Sequence, residues 1–333
     1  MTISFAVLLA ALASASLARP HAHSATSTTP RVGLVVEGGL EDRGLNQLAY
    51  AGLVRAEHRL GVQARVLQAD SAAGVAANLA AFARQGFDLV VAVGQGTAQP
   101  VSVVAKRFPD TRFAIVDVDQ RSLDGTPTNV TGLVFDEQQL GTLAGYLAGL
   151  SAKRLGARAV GAVGIAGDQH GARLFAGYRS GVNRAAPGVR VRRDDAKGDG
   201  DRSTCRGLAL GQLEHGASVV IGVAGPCGRG VLDAAHRRRA WGIGVDVDES
   251  LLGSFVLTSA LKGSDVAVFS VIRSLAHGQL VVGRNLRFGL AGGGVRLGTV
   301  SPRAARADVV ATQRVARLLA GGASIGNSAT QSG

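Results

Sequence analysis

The chain has 333 residues, 46% hydrophobic and 18% charged, with 47 glycines and a formal charge of +12. That is globular composition, long enough for two lobes with separate cores. Aromatic residues make up only 4%, so the positive charge lacks the stacking partners of a nucleic-acid surface; nucleic acid is set aside in favour of attraction to an anionic membrane or wall.

Residues 1–18 read as a secretory signal. An apolar core at 5–12 is followed by small residues, with Ala13-Ser14-Ala15 and Ser16-Leu17-Ala18 as alternative cleavage sites. Residues 19–30, rich in Ser and Thr, read as a flexible tether, and no cysteine lies near enough to carry a lipid. The mature chain is therefore expected to be exported, whether extracellular, cell-surface or periplasmic. No other run has the ~18 apolar residues of a membrane helix.

The β-branched run 31–36, stopped by Gly38-Gly39, predicts a buried strand, and the apolar spacing from Leu45 predicts a helix over 43–60. The same alternation continues, with strands at 63–68, 88–93, 112–117, 158–165, 189–193, 218–223 and 241–245. Helices are expected at 72–85, 98–107, 137–152, 169–185, 203–215 and 228–238. Strict alternation of this kind predicts an α/β fold with parallel, helix-covered sheets.

Two sheets are expected, because the first half is echoed in the second. Gly86 to Gly94 matches Gly216 to Ala224 in pattern, Val116-Asp117-Val118-Asp119 recurs as Val245-Asp246-Val247-Asp248, and Tyr50-Ala51-Gly52-Leu53 resembles Phe175-Ala176-Gly177-Tyr178. The offsets, 130, 129 and 125 positions, are nearly one value. The expected lobes are 31–130 with 260–290, and 131–258 with 291–320, ahead of a disordered tail at 321–333. Residues 129–135, 255–261 and 286–290 are expected to be hinge strands that let the lobes close on a ligand. A monomer is expected.

Candidate binding residues sit where strands end, the place at which open α/β sheets meet ligands. Asp42 and Asn46, four apart, can point from one helical turn into the cleft, or Asp42 can cap the helix. Asp117 and Asp246 end equivalent strands and suit a polyhydroxylated ligand, a sugar or a nucleoside. The doubled Asp-x-Asp also admits a hard cation, but calcium sites gather more oxygen ligands in one loop, and no metal is assigned. Gly94-Gln95-Gly96-Thr97 and Ala224-Gly225-Pro226-Cys227-Gly228 are matching glycine-rich turns that let backbone approach a ligand. Neither is a phosphate loop. No His-Glu-x-x-His or Gly-x-Ser-x-Gly motif occurs, and His58, His170, His215, His236 and His277 are scattered along helices where a surface role is expected; nothing motivates an enzyme or a cofactor.

Cys205, at the start of one predicted helix, and Cys227, after the next strand, fall on the same rim of a right-handed βαβ unit, which predicts a disulfide. Two buried free thiols are the alternative.

These residues resemble the basic membrane protein family of exported solute-binding proteins for ATP-driven importers. The likeness spans roughly residues 31–297. It rests on Glu41-Asp42-Arg43-Gly44-Leu45-Asn46-Gln47-Leu48-Ala49-Tyr50-Ala51-Gly52-Leu53, similar to the family's Asp-x-Ser-Phe-Asn-Gln-x-x-Tyr-x-Gly-Leu, and on Ile243-Gly244-Val245-Asp246, Thr258-Ser259-Ala260-Leu261-Lys262 and Gly293-Gly294-Val295. The resemblance implies the type I periplasmic-binding fold, two doubly wound parallel-sheet lobes joined by hinge strands. It also implies a purine nucleoside ligand and an ABC permease as partner. Asp42 and Asn46 would then hold the base, Asp246 and Lys262 the ribose hydroxyls, with Asp117 and Gly225 in the same cleft. Leu45 stands where the family motif has its base-stacking Phe, a difference of about 1–3 kcal/mol in aromatic sites. A secreted sensor with the same fold and no transport role is the alternative.

Overall fold

The computed structural model describes residues 29–41, 44–198, 200–223 and 225–322. The expected signal segment 1–18 and Asp42 lie outside the described residues, as do positions 323–333 of the expected tail. The first half runs β1 (Arg31–Glu37), α1 (Leu45–Leu60), β2 (Gln63–Ala69), α2 (Ala72–Arg84), β3 (Leu89–Val93), α3 (Ala98–Arg107), β4 (Arg112–Val116) and β5 (Val130–Phe135). The second runs α4 (Glu137–Arg154), β6 (Ala159–Ile165), α5 (Gln169–Ala185), β7 (Arg190–Ala196), α6 (Arg202–Glu214), β8 (Ala217–Gly222), α7 (Gly225–Arg237), β9 (Trp241–Val245) and β10 (Val256–Lys262). The chain finishes with α8 (Ser264–Ala276), β11 (Arg284–Phe288), β12 (Val295–Leu297) and α9 (Arg306–Ala320).

Two six-stranded sheets result, ordered β11-β5-β4-β3-β1-β2 and β12-β10-β9-β8-β6-β7. Position for position the orders match, so the echo read in the sequence is a structural repeat. All pairings are parallel except the edge strand β12, which runs antiparallel to β10. In the first sheet, Val32, Leu34 and Val36 face one core cluster while Val35, Val90 and Phe113 face a second with α2 and α3 residues, the alternation that covers a sheet on both faces.

The lobes exchange helices. α4 leaves the first sheet and packs on α5 of the second, whereas α8 leaves the second sheet and packs on α1 of the first. Residues 129–135 and 255–261 are therefore not connectors but interior strands, and the crossings fall just after them, at Asp136 and Gly263. The physical reason is that every residue of β5 and β10 is buried, a pattern a solvent-crossing hinge cannot have. The first sheet accordingly extends to Phe135, and β10 belongs wholly to the second. The third crossing lies between β11 and β12.

The α4–α5 contact is as close as two helices allow. A Cβ on Gly141 would stand 1.9 Å from Leu174 O, and one on Gly145 2.0 Å from Tyr178 O. From the other side, a Cβ on Gly177 would stand 2.1 Å from Gln138 O. Glycines four apart give each helix a flat strip, and the backbones meet there. Gly52 does the same for α1 against α8, where an added Cβ would meet Asp265 O at 2.5 Å. This explains why the Ala-Gly motifs around Gly52 and Gly177 echo one another.

Candidate functional site

Asp117 and Asp246 follow β4 and β9 directly, and both have φ of 64°. Each backbone N–H donates to the neighbouring strand, Asp117 to Leu133 O and Asp246 to Ala260 O, both at 2.9 Å. The left-handed turn ends the strand and swings the carboxylate into the space between the sheets; aspartate tolerates that conformation better than most residues. The second aspartate of each motif has a different task. Asp119 accepts from the N–H of Arg121 at 2.8 Å and Asp248 from that of Ser250 at 3.2 Å, each capping a short 3-10 turn.

Lys262, at the end of β10, joins the two halves of the site. Its Nζ donates to Asp117 Oδ2 at 2.7 Å and lies 3.6 Å from Asp246 Oδ1. Burial works against the charge on Lys262, yet the carboxylates of Asp246 and Asp117 raise its pKa above the usual lysine range. Burial also raises Asp246, with the Asp117 carboxylate adding to the effect and Lys262 opposing it. Asp117 Oδ1 and Asp246 Oδ1 are buried without a hydrogen-bond partner. Asp246 Oδ1 keeps its ion pair with Lys262, so Asp117 Oδ1 is the acceptor with neither kind of partner, and a buried acceptor in that state is costly unless a ligand supplies a donor.

Two residues that sequence reasoning left aside, Glu137 and His170, complete the site together with Gln95. Glu137, in the first turn of α4, lies 2.6 Å from His170 Nδ1 and accepts from Arg173 Nε at 3.1 Å. Burial raises its pKa, but the hydrogen bonds from His170 and Arg173 prevail and bring the carboxyl down to about 2. His170 sits at the start of α5, whose cap is Asp168, with His170 N donating to Asp168 Oδ1 at 2.9 Å. The glycine strips of α4 and α5 hold these two helix starts together. Gln95, on the turn set by Gly94 (φ 88°), spans the lobes: its Nε2 donates to Asp117 O at 2.5 Å and meets His170 Nε2 at 3.0 Å. Arg173 Nη2 also lies 3.1 Å from His170 Nδ1, so that ring nitrogen sits between Arg173 and the Glu137 carboxylate.

These groups enclose a cavity of about 170 Å³, lined by Gln95, Asp117, Glu137, Asp168, His170, Asp246 and Lys262, with Leu140, Leu174, Val223 and Val245 as apolar wall. A second cavity of about 750 Å³ shares Gln95, Glu137, Asp168 and His170 as its wall. Of the sequence-derived candidates, Gln95, Asp117, Asp246 and Lys262 meet here. Leu45 does not line the cavity; it packs against the core, and its carbonyl accepts from Ser264 Oγ at 2.9 Å. The amide of Asn46 donates to Glu37 O and Gly39 O, at 2.9 and 3.1 Å, pinning the β1–α1 turn. Gly225 begins α7, exposed and with φ of 77°. Glu137 and His170 were visible as residues at helix starts after strand ends, but their convergence depends on the helix exchange. Asp117, Glu137 and His170 also have ligand atoms within 4.8 Å of one another, close enough for a metal ion. Lys262 on Asp117 and Arg173 on Glu137 already supply the positive charge there, so an ion would have to displace them.

Cys205 and Cys227 form a disulfide with Cα atoms 5.1 Å apart. No helix among the described residues is long and apolar enough to cross a membrane.

The chain is similar to known proteins along most of its length. It is 28% identical over 322 residues to the CD4+ T-cell-stimulating antigen of Listeria innocua, covering 87% of this chain and 86% of that one. It is 26% identical to basic membrane protein A of Borreliella burgdorferi, over 71% of this chain and 69% of that one. A solved solute-binding protein of an ABC transporter system from Conexibacter woesei superposes with a TM-score of 0.70 at 25% identity, covering 88% of this chain and 97% of that one. The model of the Bmp family, described as ABC transporter substrate-binding protein PnrA-like, matches residues 29–329. The match spans all of the described residues, and the chain belongs to the Bmp family of ABC transporter substrate-binding proteins, which bind solutes and are not enzymes.

Proposed function

We propose that this solute-binding protein is an exported receptor that captures a nucleoside between its lobes and presents it to an ABC importer. One observation carries the reading: the carboxylates of Asp117 and Asp246 flank Lys262 in a buried cavity, and the Oδ1 atom of each accepts no hydrogen bond. Two carboxylate acceptors and an ammonium donor suit the adjacent hydroxyls of a ribose, each of which can donate and accept. Asn46 contributes to this reading through the β1–α1 turn it pins. The family match supports transport over a stand-alone sensor.

A second reading is a free sugar, favoured by the cavity lining, which among the described residues has no Phe, Tyr or Trp on which a base could stack. Calorimetric titration with adenosine, guanosine, inosine, cytidine and ribose separates the two. Heat with a nucleoside and none with ribose supports the proposal; heat with ribose alone supports the second reading, and silence with all five removes both.

A further inference from the structure

The second lobe carries a separate, strongly basic cavity. It has a volume of about 550 Å³, lies between α6 and α7, and shares no lining residue with the interlobe cavity. Arg202 and Arg206 stand one turn apart on α6; Arg229, Asp233 and Arg237 follow one another at four-residue intervals on α7, so each row shares a helix face. The two rows are held side by side. Gly230 lets the helices approach so closely that a Cβ there would lie 2.1 Å from Arg202 O, and the Cys205–Cys227 disulfide ties the two helix starts.

Charge in this cavity does not balance. Arg202 forms a two-pronged pair with Asp233, at 2.7 and 2.9 Å, and Arg229 pairs with Glu249 at 3.0 Å. Among the described residues, Arg206 and Arg237 are in no ion pair. Both are near enough to Asp233 that, after the Arg202 hydrogen bond, their charges help hold its carboxyl below the usual range. Four guanidiniums and one carboxylate, Asp233, thus line one concavity, Arg229 pairing with Glu249 outside that lining, and the His236 ring packs 4.7 Å from Phe255 beside them. Arginine does not shed its proton to relieve repulsion. A pre-set array of guanidinium forks with excess positive charge is complementary to a multiply charged oxyanion.

We infer that the α6–α7 cavity is a binding site for a phosphate-bearing anion, independent of the interlobe ligand. The same chemistry is offered by a soluble diphosphate and by the headgroup of an anionic phospholipid. Two arms separate these sources. The full chain is titrated calorimetrically with sodium pyrophosphate, and it is sedimented with phosphatidylcholine vesicles with or without phosphatidylglycerol. Pyrophosphate heat identifies a soluble ligand, and phosphatidylglycerol-dependent sedimentation identifies a membrane one. In either arm Arg206→Gln/Arg237→Gln weakens binding by roughly tenfold, the loss expected when charge-assisted hydrogen bonds are removed. Arg306→Gln/Arg314→Gln, which removes the same charge from α9, leaves it unchanged. Matching thermal unfolding curves verify that both variants are folded. Absence of binding in both arms, or equal weakening in the two double variants, overturns the inference, the latter because it traces binding to net charge alone.

Discussion

At Asp117 and Asp246 one residue type serves two demands, a left-handed turn that ends the strand and a carboxylate aimed at the interlobe gap. Both halves repeat the solution, and Lys262 couples them. Because Lys262 and its partners are buried, removing the cation strands two carboxylates in low dielectric. Lys262→Met is expected to destabilise the protein by about 3–5 kcal/mol, measured by urea unfolding, and to abolish ligand heat. Glu137 gives a pH prediction. Its ordinary value is 4.5, and in the fold it lies at about 2. A depressed folded pKa contributes stability that is complete above about pH 4.5 and drains away as pH falls towards 2, about 3 kcal/mol in all. Melting temperature followed from pH 5 to pH 2 should therefore fall, and Glu137→Gln should remove that part of the slope; an unchanged slope would show that Glu137 is not held down.

Among the elements, α4 and α5 decide whether the site exists. Their glycine strips bring Glu137 and His170 within hydrogen-bond reach, and no side chain fits between the backbones at Gly145 or Gly177. Gly145→Ala is expected to cost about 1–3 kcal/mol through overpacking, against the slight gain that alanine brings to an unconstrained helix. A stabilised variant would contradict the packing described. The disulfide is the second constraint at this scale. Its closed loop is short, and replacing both cysteines with alanine is expected to cost roughly 3 kcal/mol in the chain-entropy model, read as a lower urea midpoint. Since the bond ties the starts of α6 and α7, the same variant tests whether the neighbouring arginine rows depend on it.

For the whole molecule, three crossings and exchanged helices make the lobes a pair that can move only about the ends of β5, β10 and β11. Gln95–His170 and Asp117–Lys262 are the polar contacts that bridge them across the cavity. Ligand that donates to Asp117 and Asp246 strengthens the same closure. Small-angle scattering should show a smaller radius of gyration when the bound nucleoside is present, and Gln95→Ala should widen the unliganded envelope. An identical radius in both states would argue that the lobes do not hinge.

Local patterns in the chain were enough to specify elements and their repetition. Strand β9 and helix α5 lie at the bounds their apolar spacing predicts, and the recurrent Val-Asp-Val-Asp marks matching strand ends, because side-chain burial period and turn chemistry are properties of a few adjacent residues. The disulfide was legible for the same reason, through the fixed geometry of a βαβ rim. Segments 129–135 and 255–261, expected as hinge strands, are strands that sit inside the two sheets with the crossings just after them: where a strand sits in a sheet is set by its neighbours, which lie far away in the chain. The expected bounds 131–258 already put Glu137 and His170 in one lobe, but that their side chains meet follows from the exchange that packs α4 on α5. That long-range exchange is settled by backbone contact at the glycine strips, so the tertiary structure alone decided which charges meet, while the sequence by itself determined which strand ends could carry them.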